Sequence, residues 1–219
     1  RGTMDEARRE LLAFTDLYNR NSPATPAENR FLQDILFCYL ETTSNRIDSA
    51  RARLTKAMQN VDSARAMWGG TLLLFKGMVE GELLLAEHLP DSAIHVVRTT
   101  RVPSPAMTTG YRMPMYSGPY LRDIVPRAFL MKGQPDSAIV EYKKLLTIDT
   151  ATRDRRLINP LYHYRLAKLY EQTGATDDAI REYTRFLSLW KDADKDQSDY
   201  VDARKRLALL ARRQGVSNR

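Results

Sequence analysis

The chain has 219 residues, 43% of them hydrophobic, one cysteine and a formal net charge of +7. That composition belongs to a folded globular chain and excludes a disordered one; a lone cysteine excludes an internal disulfide and a cysteine-based zinc cluster. No stretch approaches the roughly 18 apolar residues of a membrane span, so no membrane insertion is expected from this chain.

The first element is a helix over residues 1–19, with Leu11, Leu12, Phe14, Leu17 and Tyr18 as its large apolar side chains. Thr25-Pro26-Ala27-Glu28 then forms a capping box with proline at the first helical position. The helix it opens contains Ile35-Leu36-Phe37-Cys38-Tyr39-Leu40, which makes Cys38 a small buried core residue. A turn at Asn45 leads into a second helix, completing a unit over 25–60. A further pair spans 62–101 with its turn at His88. Residues 102–118 interrupt the pattern, with Pro103, Pro105 and Pro114 among methionines and tyrosines. A loop this long is a candidate contact surface through Tyr111, Met113, Met115 and Tyr116, or a flap over the chain's own apolar surface.

Gly118-Pro119 opens a unit over 117–147, in which Pro126 is expected to kink the first helix. Asn159-Pro160 opens the last, over 159–190. A terminal helix at 197–214 carries the apolar stripe Tyr200, Ala203, Leu207 and Leu210. Residues 200–219 hold six Lys or Arg against one acid, a basic tail on a nearly neutral body. Arg204, Lys205, Arg206, Arg212 and Arg213 are expected to complement the dipole at the end of that helix.

One pattern runs through these elements. Asp-x-Ala recurs with its alanine at Ala7, Ala50, Ala93, Ala138 and Ala179, at intervals of 43, 43, 45 and 41 residues. The aspartate suits an N-cap or a first helical turn. Five residues before each alanine stand Gly2, Asn45, His88, Gly133 and Gly174, and glycine and asparagine tolerate the left-handed conformation that closes a helix. His88 is the imperfect member. Four and seven residues after the alanine come apolar positions such as Tyr142 and Leu145, or Tyr183 and Phe186, on one helical face. Each unit therefore reads helix, tight turn, helix. Gly2 matches the turn position, so residues 1–19 are expected to be the second helix of a unit whose first helix lies upstream, leaving an end able to self-associate.

A two-helix unit with a small residue early in its second helix and an aromatic four residues on resembles the tetratricopeptide repeat. The 159–190 unit matches best, through Leu166-Ala167, Tyr170, Gly174, Ala179, Tyr183 and Phe186. The 117–147 unit matches through Phe129, Gly133, Ala138, Tyr142 and Leu145. In the two earlier units Glu41 and Leu84 stand at the usual aromatic place, and the period is longer than the family's. Residues 155–167 with Leu189-Trp190-Lys191-Asp192-Ala193-Asp194 resemble the C-terminal repeat region of large bacterial signalling proteins, including serine/threonine kinases and nucleotide cyclases.

The resemblance implies an all-α fold: one right-handed superhelical array of antiparallel helix pairs over 1–219, closed by the C-terminal helix. It implies a protein-protein interaction scaffold, a docking or regulatory segment of a larger bacterial signalling protein. The sequence does not fix the compartment; the cytoplasm is a guess, whether or not the parent protein is membrane-tethered. The groove positions it implies are Tyr120, Asp123, Arg127, Leu130 and Met131, then Tyr164, Lys168, Glu171 and Gln172. Arg127 and Lys168 point to an acidic protein or peptide partner.

The rival readings are a nucleic-acid binder acting through the basic terminal helix, and a structural or oligomerisation spacer. The former lacks interleaved aromatics for stacking bases. No cofactor is expected. His88, His95 and His163 lack metal-ligand spacing, and the calcium-loop start at Asp192 fails where Gln197 and Ala203 replace the needed glycine and glutamate. No phosphate loop or nucleophile elbow is present, so no catalysis is expected.

Overall fold

The computed structural model describes residues 3–21, 26–62, 70–100, 123–147, 159–192 and 196–217. The described residues form helices joined by turns, without strands, and the fold is all-α. In chain order the helices are α1 (Met4–Asn21), α2 (Pro26–Thr43), α3 (Ile47–Met58), α4 (Gly70–Ala86) and α5 (Pro90–Thr99). They continue as α6 (Ile124–Met131), α7 (Pro135–Leu146), α8 (Leu161–Gln172), α9 (Thr176–Leu189) and α10 (Ser198–Ser217). The chain divides into two compact units, Arg1–Ala128 and Phe129–Arg219, the division falling within α6.

Four corners share one construction. Asn45, His88, Gly133 and Gly174 adopt positive φ, at 58°, 59°, 69° and 78°. At each, the next residue's N–H reaches back to the carbonyl of the last helical turn: Arg46 to Glu41, Leu89 to Leu84, Gln134 to Phe129, and Ala175 to Tyr170, at 2.8–2.9 Å. This Schellman-type closure satisfies carbonyls that the helix leaves without partners. His88, the imperfect member by sequence, makes the same corner. A side chain with a Cβ there costs about 1–2 kcal/mol relative to glycine, less the chain entropy that glycine adds to the unfolded state. His88→Gly is expected to stabilise the chain by about 0.5–1 kcal/mol, and Gly174→Ala to destabilise it by about 1–2 kcal/mol, as read from urea midpoints.

The residues after each corner also repeat. Arg46, Leu89, Gln134 and Ala175 are the N-caps, with ψ between 66° and 69° and no capping side-chain hydrogen bond. Asp48, Asp91, Asp136 and Asp177 therefore sit in the first turn, stabilising through the helix dipole and not as caps. Pro90 and Pro135 take the first helical position, where a missing N–H costs nothing. Each alanine is the first residue whose N–H bonds within its helix, to the N-cap carbonyl. Ala50, Ala93, Ala138 and Ala179 are all 0% exposed, whereas Ala7 on α1 is exposed.

In the first unit α2 packs on α3, α4 on α5, and α4 also reaches α2 and α3, while α1 packs on α2. The core gathers Phe31, Ile35, Phe37 and Cys38 of α2 with Val79 and Leu83 of α4. Close approach here needs glycine: a Cβ on Gly77 would stand 2.1 Å from Thr100 Oγ1, and one on Gly81 3.0 Å from Val97 and 3.1 Å from Ile124. Burial pushes the Cys38 thiol up to about 11, and the thiol lies in the core as its apolar run predicts.

In the second unit α8 packs between α7 and α9, and α10 packs on α9. Tyr142, Tyr162, Leu166, Tyr183 and Phe186 fill its core, joined by Ala203 and Leu210 from the stripe on α10. Asn159 Oδ1 accepts the Leu161 N–H at 3.0 Å, and Pro160 already has helical φ and ψ of −54° and −29°. Pro126 does not kink a helix: it is the third residue of α6, where the backbone N–H has no intrahelical acceptor to lose.

Candidate functional site

The side chains that face outward from the first helix of each hairpin were the expected binding surface. Tyr120 and the loop residues Tyr111, Met113, Met115 and Tyr116 lie outside the described residues. Of the others, Asp123 and Arg127 belong to the first unit and Met131, Tyr164, Lys168, Glu171 and Gln172 to the second.

In the first unit Arg127 lies between two carboxylates. Its Nε is 3.2 Å from Asp123 Oδ1, one helical turn back on the chain, and its terminal nitrogen pairs with Glu82 of α4. Asp123 is 1% exposed and Arg127 about one-third exposed. A buried carboxylate needs its cation, so this arginine first neutralises the protein's own acids.

The second unit repeats the device. Arg206 of α10 donates from Nε to Asp202 at 2.7 Å, one turn back, and from a terminal nitrogen to Glu171 of α8 at 3.0 Å. Both triads follow one plan: an Asp-x-x-x-Arg step one helical turn long, within α10 for Asp202 and from the residue just before α6 for Asp123, and a glutamate on another helix earlier in the chain. Two phenols complete the second. Tyr164 donates to Asp202 at 2.7 Å and Tyr183 donates to Glu171 at 2.9 Å. Burial and these carboxylate acceptors push both phenols well above the ordinary tyrosine value, so they remain proton donors at neutral pH. Lys168 places its ammonium 5.4 Å from the Tyr164 ring centroid, and Gln172 and Met131 are exposed.

Arg206 was expected to complement the end of the terminal helix. It lies instead in mid-helix, its guanidinium held charged by hydrogen bonds to Asp202 and Glu171, and the last turn of α10 holds no basic residue. The pairing could have been read from the Asp-x-x-x-Arg spacing, which places the two one turn apart. The glutamate partner was hidden, because it lies 35 residues away from Arg206 and 45 from Arg127.

Burial disfavours the charge on Asp202, but the hydrogen bonds from Tyr164 and Arg206 outweigh it and hold the carboxyl below its ordinary value. A depressed folded value means that the contribution is present above the ordinary carboxylate range and fades as pH falls through the folded value. Acidification below about pH 4 is therefore expected to lower the thermal midpoint of the wild type more steeply than that of Asp202→Asn. Parallel midpoint-against-pH curves for the two proteins would count against this assignment.

His163 pairs with Glu182 of α9 at 2.6 Å, and no cluster of three or more metal-ligating side chains occurs among the described residues. No helix of the described residues is long and apolar enough to cross a membrane. A cleft of about 330 Å³ lies between α1 and the end of α2, where buried Glu41 pairs with Arg8 at 2.5 Å and Arg46 at 3.1 Å. Both glutamate contacts are internal neutralisation of the same kind. No family model, curated protein or solved structure matches the chain. The geometry alone therefore carries the functional reading.

Taken residue by residue, the second unit presents a polar strip fixed by side-chain hydrogen bonds from three helices. Tyr164 and Lys168 stand on α8, and Asp202 and Arg206 on α10, with Tyr183 of α9 bracing Glu171. A fixed strip of donors and acceptors can receive a partner's polar groups without first being ordered, which lowers the entropic cost of association. Nothing in the strip pairs a nucleophile with a base, since the phenols are held protonated and the arginine charged.

Proposed function

We propose that the chain is a protein-interaction scaffold of the tetratricopeptide type. In this reading its hairpins belong to a right-handed superhelical array within a larger bacterial signalling protein. The observation that carries this is the fourfold recurrence of one corner, a left-handed residue five positions before a fully buried alanine. Repeated hairpins of one construction stack by neighbour contacts and expose the faces of their first helices as an extended surface. An extended peptide or a partner helix fits such a surface.

The structural role of Arg127 shifts the expected ligand contact toward Lys168. Arg127 and Arg206 each answer two internal carboxylates, while the half-buried Lys168 lies over the Tyr164 ring without a carboxylate at ion-pair distance among the described residues. An acidic segment is then held by Lys168 together with hydrogen bonds from Gln172 and neighbouring polar groups. Catalysis has no part in this function.

The test is fluorescence anisotropy of a labelled Asp/Glu-rich peptide titrated with the full chain. Lys168→Glu is expected to weaken binding by about tenfold, the equivalent of one charge-assisted contact, with little change in thermal midpoint. Absence of peptide binding to the wild type, or equal binding by Lys168→Glu, would discard the acidic-ligand assignment. A labelled single-stranded oligonucleotide serves as the contrast: tighter binding of it, lost steeply with salt, would favour the nucleic-acid reading instead.

A further inference from the structure

The repeat gives each helix a type. Second helices begin after a corner and bury an alanine beneath a first helix; first helices dock on the second helix of the preceding pair, as α4 does on α3 and α8 does on α7. Helix α1 has the pattern of a second helix, with Asp5 and Ala7 in register with Asp177 and Ala179. Yet Ala7 is exposed, and Phe14 is 48% exposed where its counterpart Phe186 is 0% exposed. Leu17, on the same side, is 63% exposed. Helix α10 has the docking of a first helix, packing on α9 through Ala203 and Leu210. Its opposite side exposes Leu209 at 54%.

The two uncovered faces differ in charge. Helix α1 carries Asp5, Glu6, Glu10 and Asp16 against three arginines, and its four acids are all exposed. Helix α10 exposes Arg204, Lys205, Arg212 and Arg213, with two aspartates near its start. The distribution along each helix fits antiparallel pairing. The late cations Arg212 and Arg213 meet the early acids Glu6 and Glu10, which lie on the same side of α1 as Phe14 and Leu17, whereas Asp5 turns toward α2. On α10, Lys205, Leu209 and Arg212 share one stripe at i, i+4, i+7; on α1, Glu10, Phe14 and Leu17 do the same.

We propose that α10 of one copy seats on the uncovered face of α1 of a second copy, completing between two chains the hairpin that each unit forms within one. The contact is heterologous, joining unlike surfaces, and its geometry is the antiparallel helix pair that the chain builds as α2–α3, α4–α5 and α8–α9. Apolar contact comes from Phe14 and Leu17 against Leu209, and charge complementarity sets the direction. The proposal is independent of the groove reading, since it uses neither Lys168 nor Tyr164.

A complementation experiment with the full chain decides it. Leu17→Glu spoils the α1 face and leaves α10 intact; Leu209→Glu does the reverse. Both positions are exposed, so both variants are expected to keep the wild-type circular dichroism, and Glu10→Arg replaces Leu17→Glu should that variant lose it. By sedimentation, the wild-type mass is expected to rise with concentration above that of the 25.1 kDa chain and to fall back in high salt. Each variant alone is expected to remain monomeric, and an equimolar mixture to give a mass about twice that of one chain, because one good contact survives. A monomeric wild type at the highest concentration would overturn the proposal, as it would if the face is covered by another part of a parent protein. So would self-association of Leu209→Glu alone, which signals α1 pairing with α1. Failure of the mixture to associate would overturn it equally.

Discussion

Phe186→Ala is expected to cost about 3–5 kcal/mol, among the largest single-residue losses in the second unit. Phe186 is fully buried, with its ring centroid 5.4 Å from that of Tyr164 and 5.0 Å from that of Trp190. Removing the ring leaves a cavity bordered by α8 and α9. The surroundings cannot collapse freely, because Tyr164 is tied to Asp202, and Tyr183, one turn before Phe186, is tied to Glu171. A site that cannot relax pays the cavity term in full. Amide hydrogen exchange along α8 and α9 is the direct readout, since it localises the loss. Leu189→Ala, at a side chain 46% exposed on the same helix, should change stability by about 0.5 kcal/mol or less and serves as the control. A loss below about 1 kcal/mol for Phe186→Ala would show that the ring is not the centre of this core.

The alanine series should give the second-largest effects and tests the repeat itself. Ala50→Leu, Ala93→Leu, Ala138→Leu and Ala179→Leu are each expected to cost about 1–3 kcal/mol or more, because three added carbons have no space where the alanine is fully enclosed. Ala7→Leu carries the same chemical change at an exposed site and should fall within about 0.5 kcal/mol of the wild type. Helix propensity does not separate the five, since leucine is nearly as good a helix former as alanine. Urea unfolding of all five variants checks the contrast. A uniform cost across the series, or tolerance at the four buried positions, would mean that the alanines are not the points of closest helix approach.

Much of this fold was legible because it depends on local chemistry. The alanine interval, the preceding glycine or asparagine and the apolar positions that follow specify a helix, a corner and a second helix without reference to distant residues. That is why even the weak match at His88 forms the same corner as Gly133 and Gly174. The core identities of Cys38, Tyr183 and Phe186, and the stripe Ala203, Leu207 and Leu210, likewise follow from periodicity. Other features turned on position within an element. Whether Pro126 would kink a helix depended on where that helix began, and whether an aspartate capped or merely opened a turn depended on one residue of register.

The polar strip was different. Sequence spacing marked Tyr164, Lys168 and Glu171 as neighbours on one helical face, but their partners came from other helices. Asp202 and Arg206 reach Tyr164 and Glu171 only because α10 docks on α9, and Arg127 reaches Glu82 only because the chain brings α4 close to it. An arginine read alone is a cation looking for an anion; burial decides which carboxylate it must satisfy first, since an unpaired buried acid is costly. The sequence by itself thus determined the all-helical character, the corners and the buried alanines, through interactions spanning a few residues. Only the tertiary structure decided which charges are already spent inside the protein, because ion pairs form between side chains that the packing of whole helices brings together.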